Sequence, residues 1–291
     1  MGKWSSRVAG AVSRFWPGQF GRKSGVAAPR ATPPDYVVDA FMASDVGCVR
    51  ESNQDSIAFV SPGDAEVRRR LGVLAVVADG MGGHNGGEVA SAIAVETICR
   101  YYYATTSDAA AQALALAVRE ANGAVFRAAA ADSRLEGMGT TATALVLVGS
   151  GVLFAHVGDS RLYRCRAGRC RQLTEDDSFV AEMVKNRLIR PEQAAHHPAR
   201  NVLLRSVGTQ EKLWVIAQHG DPPQVGDCFV LCSDGLWDTV DAREIARIVD
   251  TAEPEEACRQ LIQLARERGG SDNISVGVLA IRALEPDSPP A

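Results

Sequence analysis

The apolar run 74–78 stops on a carboxylate, Asp79, and five glycines follow within eight residues: Gly80, Gly82, Gly83, Gly86 and Gly87. A run of this kind reads as a buried strand. The glycines behind it let the backbone turn tightly and approach a ligand closely. Val89, Ile93, Ala94 and Thr97 then keep a helical spacing. The stretch therefore places one charged group at the mouth of a core. Three ligands suit that geometry: a nucleotide phosphate, a phosphoryl group on a covalent nucleophile, or a metal. No Lys follows the glycines, as a P-loop requires, and a dinucleotide fingerprint begun at Gly80 needs glycine where Asn85 stands. A covalent aspartyl nucleophile is usually followed two residues later by a second Asp, and that position is Met81. The metal reading remains, and it demands more carboxylates.

Four other positions supply them: Asp55, Asp159, Asp234 and Asp272, each at the end of an apolar stretch and beside Gly, Ser or Asn. Any one alone is an ordinary turn or cap residue. Five at strand ends of one sheet gather like charges that only a bound cation makes favourable. Oxygen ligands without His or Cys nearby point to hard ions, Mg²⁺ or Mn²⁺.

The rest of the 291-residue chain reads as one catalytic domain with two tails. Hydrophobic residues make up 46% and charged residues 23%, enough for a substantial core. Residues 1–34 carry six bases and no acid, so the remainder holds 25 bases against 35 acids and a charge of −10. An acidic body speaks against nucleic acid as a partner. No apolar stretch reaches the roughly 20 residues that span a bilayer. Seven cysteines without a C-x-x-C pair read as reduced thiols of a cytosolic protein. Strands are expected at 37–43, 57–60, 74–78, 140–148, 152–157, 161–165, 169–173, 212–219, 227–232 and 274–282. Helices are expected at 88–104, 108–131, 242–250 and 254–268, with helix and loop over 174–200. Strands in hairpin order interrupted by helix pairs imply antiparallel sheet packed with helices.

Taken together, the motifs Ser44-Asp45-Val46-Gly47 through Arg50 to Asp55, Asp79-Gly80-Met81-Gly82-Gly83-His84, Gly158-Asp159-Ser160-Arg161, Ser233-Asp234-Gly235-Leu236-Trp237-Asp238 and Ser271-Asp272-Asn273-Ile274-Ser275-Val276 resemble the PPM family. These are the metal-dependent (type 2C) protein serine/threonine phosphatases, here in bacterial form. The resemblance covers residues 38–282, in chain order. It implies an α+β fold of two packed antiparallel sheets flanked by helix pairs. The domains it implies are a basic tail 1–37, a phosphatase domain 38–282 and a disordered tail 283–291.

The resemblance also implies roles. Asp79 would bridge two divalent ions, Mn²⁺ or Mg²⁺, with the Gly80 carbonyl a further ligand of one; Asp234 and Asp272 would complete the other. Asp55 would hold the site directly or through water. Asp159, with Asp234, would hold a weaker third ion. Arg50 would bind the substrate phosphate, since a guanidinium suits its oxygens. A hydroxide bridging the two ions would attack phosphorus directly, and His84 is the candidate general acid. His156, His196, His197 and His219 have no comparable context. The expected substrates are phosphorylated Ser/Thr proteins, with a cognate Ser/Thr kinase as the opposing partner and a monomer in the cytoplasm. The rival reading is a catalytically silent, phosphoprotein-binding regulatory module; loss of a core carboxylate would mark it, and all are present. Two departures concern the segment over the site: Asp177 stands where relatives usually carry His, and Asn186-Arg187-Leu188 where a Gly is usual.

In the N-terminal tail, Trp4, Val8, Ala11, Val12, Phe15 and Trp16 fall on one side of a helical wheel, and Lys3, Ser6, Arg7, Ser13 and Arg14 on the other. Residues 1–17 read either as a disordered tail or as an amphipathic helix for peripheral membrane contact or partner docking.

Overall fold

A computed structural model describes residues 36–82, 86–105 and 109–284. The tail segment 1–17, His84 and residues 285–291 lie outside the described residues. The strands, in chain order, are β1 (Tyr36–Asp45), β2 (Asp55–Val60), β3 (Val73–Met81), β4 (Gly139–Thr140), β5 (Ala142–Val148), β6 (Gly151–Val157), β7 (Arg161–Arg166), β8 (Arg169–Gln172), β9 (Gln218–Gly220), β10 (Cys228–Cys232) and β11 (Ile274–Ala283). The helices are α1 (Ala65–Leu71), α2 (Gly86–Ala104), α3 (Ala110–Ala131), α4 (Phe179–Lys185), α5 (Pro191–Ala194), α6 (Asp234–Trp237), α7 (Ala242–Thr251) and α8 (Pro254–Glu267).

Two sheets result, in the orders β1-β11-β10-β7-β8 and β2-β3-β5-β6-β9, with β4 paired to β3. Neighbouring strands run antiparallel. The continuous apolar run of β3 is explained by burial on both faces. Leu74, Val76 and Ala78 pack toward α2 and α3, while Val73, Ala75 and Val77 face the second sheet. The period-2 alternation of a strand divides the run between two cores. A third core lies under α7 and α8, around Val230, Ile262 and Val276. The layers are therefore helices, sheet, sheet, helices, as the motifs lead one to expect.

The helix pairs form for legible reasons. Ala90, Ala94, Ala113, Ala117 and Ala121 are all buried, and small side chains let α2 and α3 approach closely; Ala also has the strongest helix propensity. Asp241 caps α7 by accepting from the N–H groups of Arg243 and Glu244, and Glu244 returns a bond to the Asp241 N–H. No helix among the described residues is long and apolar enough to cross a membrane.

Three expectations need correction. Helix α1 was not foreseen: its Asp64 cap accepts from Glu66 and Val67, but only Leu71 of its seven residues is buried, so it carries almost no apolar stripe. The expected strand 212–219 pairs only at Gln218–Gly220. Upstream it keeps the alternation, with Val215 buried and Trp214 and Ile216 exposed, but arginine side chains take its carbonyls. Arg119 donates to Val215 O at 2.8 Å and Arg205 to Trp214 O. Lastly, Cys165 and Cys170 are joined as a disulfide rather than both reduced. They are direct partners across the β7–β8 hairpin, whose Ala167-Gly168 turn has positive φ at both residues. Motif spacing does not reveal that proximity. Cys228, Cys232 and Cys258 are buried free thiols, as expected.

Candidate metal centre

At one end of the sandwich the residues facing between the sheets turn from apolar to polar. On β2 the stripe runs Phe59, Ile57, Asp55, and on β3 it runs Val73, Ala75, Val77, Asp79. These two carboxylates are direct antiparallel partners. On β10 the stripe of Phe229 and Leu231 leads to Ser233, and on β11 that of Leu279 leads through Gly277 to Ser275. Asp234 follows Ser233 at the start of α6, Asp272 precedes β11, and Asp159 lies in the β6–β7 turn. Antiparallel order returns all five carboxylates to the same end.

The loops that carry them are fastened to each other. Asn273 Oδ1 accepts from the Gln54 N–H at 2.8 Å, and its Nδ2 donates to Val46 O and Ser52 O at 3.0 and 2.9 Å. This ties the Asp272 loop to the Asp55 loop. Gly47 has φ +82°, and a Cβ there would strike Asp272 O; a Cβ on Gly80 would strike Gly87 O and Gln54 O. Both positions require glycine for close approach. Trp237 Nε1 donates to Asp159 O at 2.9 Å. Arg161 stacks 3.6 Å from the Trp237 ring centroid and pairs with Asp176 at 2.7 Å, clamping the Asp159 turn onto α6.

The cluster is electrostatically uncomfortable on its own. Asp55 and Asp159 are buried, while Asp79, Asp234 and Asp272 are half-buried at the rim. Burial pushes Asp55 up to about 7, opposed by the 2.7 Å hydrogen bond from Ser233 Oγ. Burial and then the charge of Asp234 push Asp159 up to about 7. Burial and then Asp272 push Asp234 up to about 6. Asp79 rises well above its ordinary value, through burial first and then the charges of Asp55, Asp234, Asp159 and Asp272. Four carboxylates thus resist ionisation, first because they are buried and then because they face one another.

Asp55 Oδ1 and Asp234 Oδ1 are buried without a hydrogen-bond donor. A buried carboxylate oxygen needs a donor or a cation, and an all-oxygen set fits a hard divalent ion. Among the described residues no group of three or more His, Cys, Asp or Glu is spaced so that it could hold a metal ion as it stands.

The structure brings Asp55, Asp79, Asp159, Asp234 and Asp272 together, with Arg50 among them. Arg50 Nη2 lies 2.7 Å from Asp272 Oδ2, and Asp234 and Asp79 also raise its pKa. Gly80 is buried, its N–H bonded to Gln54 O at 3.1 Å and its carbonyl close to Gly87. His84 lies outside the described residues.

Ser233, Asn273 and Trp237 stand inside motifs legible in the sequence yet carried no role there; their function as fasteners needs the fold. His156, set aside for want of context, has one: it lies across from Thr143 at the polar end of the inter-sheet stripe. A polar residue at an inward position of strand 152–157 was the available signal. In the segment over the site, Asp177 is pinned to Gly158 by reciprocal bonds, 2.7 Å from its N–H and 3.1 Å to its Oδ2. Arg187, in the stretch where a Gly is usual, adopts φ +58°.

The protein phosphatase 2C family model matches residues 49–272. The serine/threonine protein phosphatase PstP of Mycobacterium tuberculosis is 37% identical over 235 residues, covering 81% of this chain and 43% of PstP. The chain thus spans less than half of that longer relative. A serine/threonine phosphatase of Listeria innocua is 36% identical over 242 residues, covering 81% of this chain and 93% of the relative. The solved catalytic domain of PstP in complex with two manganese ions superposes with a TM-score of 0.72 at 33% identity, covering 85% of this chain and 99% of that one. With the sandwich, the carboxylate rim and these likenesses in agreement, the chain belongs to the protein phosphatase 2C family, in the form found in bacterial PPM phosphatases.

Proposed function

We propose that residues 38–282 form a protein phosphatase domain that hydrolyses phosphoserine and phosphothreonine on proteins, opposing a bacterial Ser/Thr kinase. One observation carries the reading: five aspartates converge on one rim, with buried oxygens of Asp55 and Asp234 lacking donors, beside a half-exposed Arg50. Asp79, Asp234, Asp272, Asp55 and the Gly80 carbonyl would hold two divalent ions, Mn²⁺ or Mg²⁺, and Asp159 with Asp234 a third. Bound there, the ions supply an activated water and neutralise charge developing in an in-line displacement at phosphorus.

The protein's own groups do the rest. Arg50 exchanges Asp272 for the substrate phosphate, since a guanidinium pairs equally well with either anion. Ser233 holds Asp55 so that Oδ1 is left for the ion. The leaving alkoxide takes a proton from water or from a side chain, for which His84 is the candidate. Residues 1–17 would add peripheral membrane contact to a cytoplasmic monomer.

Turnover of a phosphothreonine peptide with Mn²⁺, with Mg²⁺ and with EDTA tests the proposal. Activity is expected with either metal and none with EDTA. Undiminished activity in EDTA, or none with either ion, would overturn it.

A further inference from the structure

The inward stripe of β6 runs Val152, Phe154 and then His156, and that of β5 runs Leu147, Leu145 and then Thr143. Register sets Thr143 opposite His156, with Oγ1 2.9 Å from Nδ1. Thr143 Oγ1 also donates to the Ser160 carbonyl at 3.0 Å. A carbonyl only accepts, so the one hydroxyl proton of Thr143 goes to Ser160. The proton shared with His156 must then sit on Nδ1. The neutral ring is left with a bare Nε2, which is buried and reached by no donor among the described residues.

The path continues beyond Ser160. Ser160 Oγ lies 2.7 Å from Thr141 Oγ1, and Thr141 Oγ1 accepts from the Asp79 N–H at 2.8 Å. Thr141, Thr143 and Ser160 are essentially inaccessible to solvent, and His156 is 7% exposed. Three buried residues therefore connect the imidazole to the backbone of Asp79, passing directly beside Asp159.

A residue needed only for packing would serve better as an apolar one. Val152 and Phe154 fill the same stripe with no orphan acceptor, whereas an unpaired buried nitrogen is destabilising. Burial holds the imidazole below its usual pKa, against the pull of Asp177, Asp176 and the Gly158 backbone and with the help of Arg205. The ring is thus neutral near pH 7, with its Nδ1–H directed at Thr143.

We propose that His156 is a positioning residue for the carboxylate rim. Its Nδ1–H orients Thr143, and through Ser160 and Thr141 this fixes the backbone of Asp79 at the angle that presents its carboxylate. The inference rests on the reading of Asp79 as a metal ligand.

The test compares the wild type with His156→Leu, His156→Asn, Thr143→Val and Asp79→Asn. The readouts are Mn²⁺ calorimetry on EDTA-stripped protein, phosphopeptide kinetics and thermal melting. Leu fills the space without donating, Asn offers an amide N–H near the Nδ1 position, and Val breaks the path at its second link. Outer partners of metal ligands typically matter by about 10- to 100-fold. His156→Leu is therefore expected to weaken Mn²⁺ binding and kcat by roughly tenfold, with little change in KM, and His156→Asn to restore both. Should the Leu variant fail to fold, Thr143→Val carries the same expectation. Wild-type Mn²⁺ affinity in His156→Leu or Thr143→Val overturns the inference, as does an Asn variant no better than Leu. If Asp79→Asn also binds Mn²⁺ like the wild type, the metal reading itself fails; if it does not bind, only the role of His156 fails.

Discussion

Arg50 Nη2 sits 2.7 Å from Asp272 Oδ2, so the guanidinium expected to receive phosphate is held by a carboxylate expected to hold a metal. Each of the two groups has a second partner in the proposed reaction, and the pair keeps both at the rim until then. Arg50 is half exposed, which leaves it free to exchange one anion for another at little cost. Arg50→Ala is expected to raise KM for a phosphopeptide by about 10- to 100-fold, the worth of a charge-assisted hydrogen bond, with kcat nearly unchanged. Steady-state kinetics check this. A large fall in kcat at constant KM would mean that Arg50 acts in the transition state instead.

Stability without metal should depend on pH in an unusual direction. The folded-state values of Asp55, Asp159 and Asp234 lie near 7, 7 and 6, above the ordinary carboxylate value of 3.8. The folded protein therefore holds these protons more tightly than the unfolded chain. Their contribution is fully present below about pH 4 and is lost as pH rises through 6 to 7. Across that window the loss is on the order of a few kcal/mol. Melts of EDTA-treated protein should show a lower Tm at pH 8 than at pH 5.5, and Mn²⁺ should remove the difference. A Tm in EDTA that rises over this interval would contradict the description of the rim.

Asp159 lies in the β6–β7 turn, and its principal charged neighbour among the five is Asp234. Asp159→Ala should leave two tight Mn²⁺ sites in calorimetry and remove a weaker one. Loss of one of the two tight sites would reassign Asp159 to the central pair.

Arg187 occupies the left-handed region at φ +58°, where a side chain costs about 1–2 kcal/mol. Glycine removes that strain but raises the entropy of the unfolded chain, worth roughly 0.5–1 kcal/mol. Arg187→Gly is expected to stabilise by about 0.5–1 kcal/mol, a rise of about 2 °C in Tm. A lower Tm would show that the Arg187 side chain makes up for its backbone.

Much of the rim was legible because Asp55, Asp79, Asp159, Asp234 and Asp272 each stand close to where an apolar stretch begins or ends, beside Gly, Ser or Asn. The Ala-rich α2 and α3 and the run of β3 announce themselves through local composition as well. What escaped depends on long-range register. Thr143 faces His156, and Asn273 reaches Val46, Ser52 and Gln54, only because strands distant in sequence are neighbours in the fold. Helix α1 was missed because its last turn carries three arginines and the helix has little to bury. The Cys165–Cys170 pairing was missed because it follows from the turn conformation and not from spacing.

The most direct test of the central claim is Mn²⁺-dependent hydrolysis of a phosphothreonine peptide by Asp79→Asn. The side chain is half-buried at the rim, and the substitution relieves repulsion among the carboxylates around it. The variant should fold and, without metal, melt at or above the wild-type temperature. Its turnover should be abolished, because the charge expected to bridge both ions is gone. Near-normal Mn²⁺-dependent turnover by a folded Asp79→Asn protein would contradict the account.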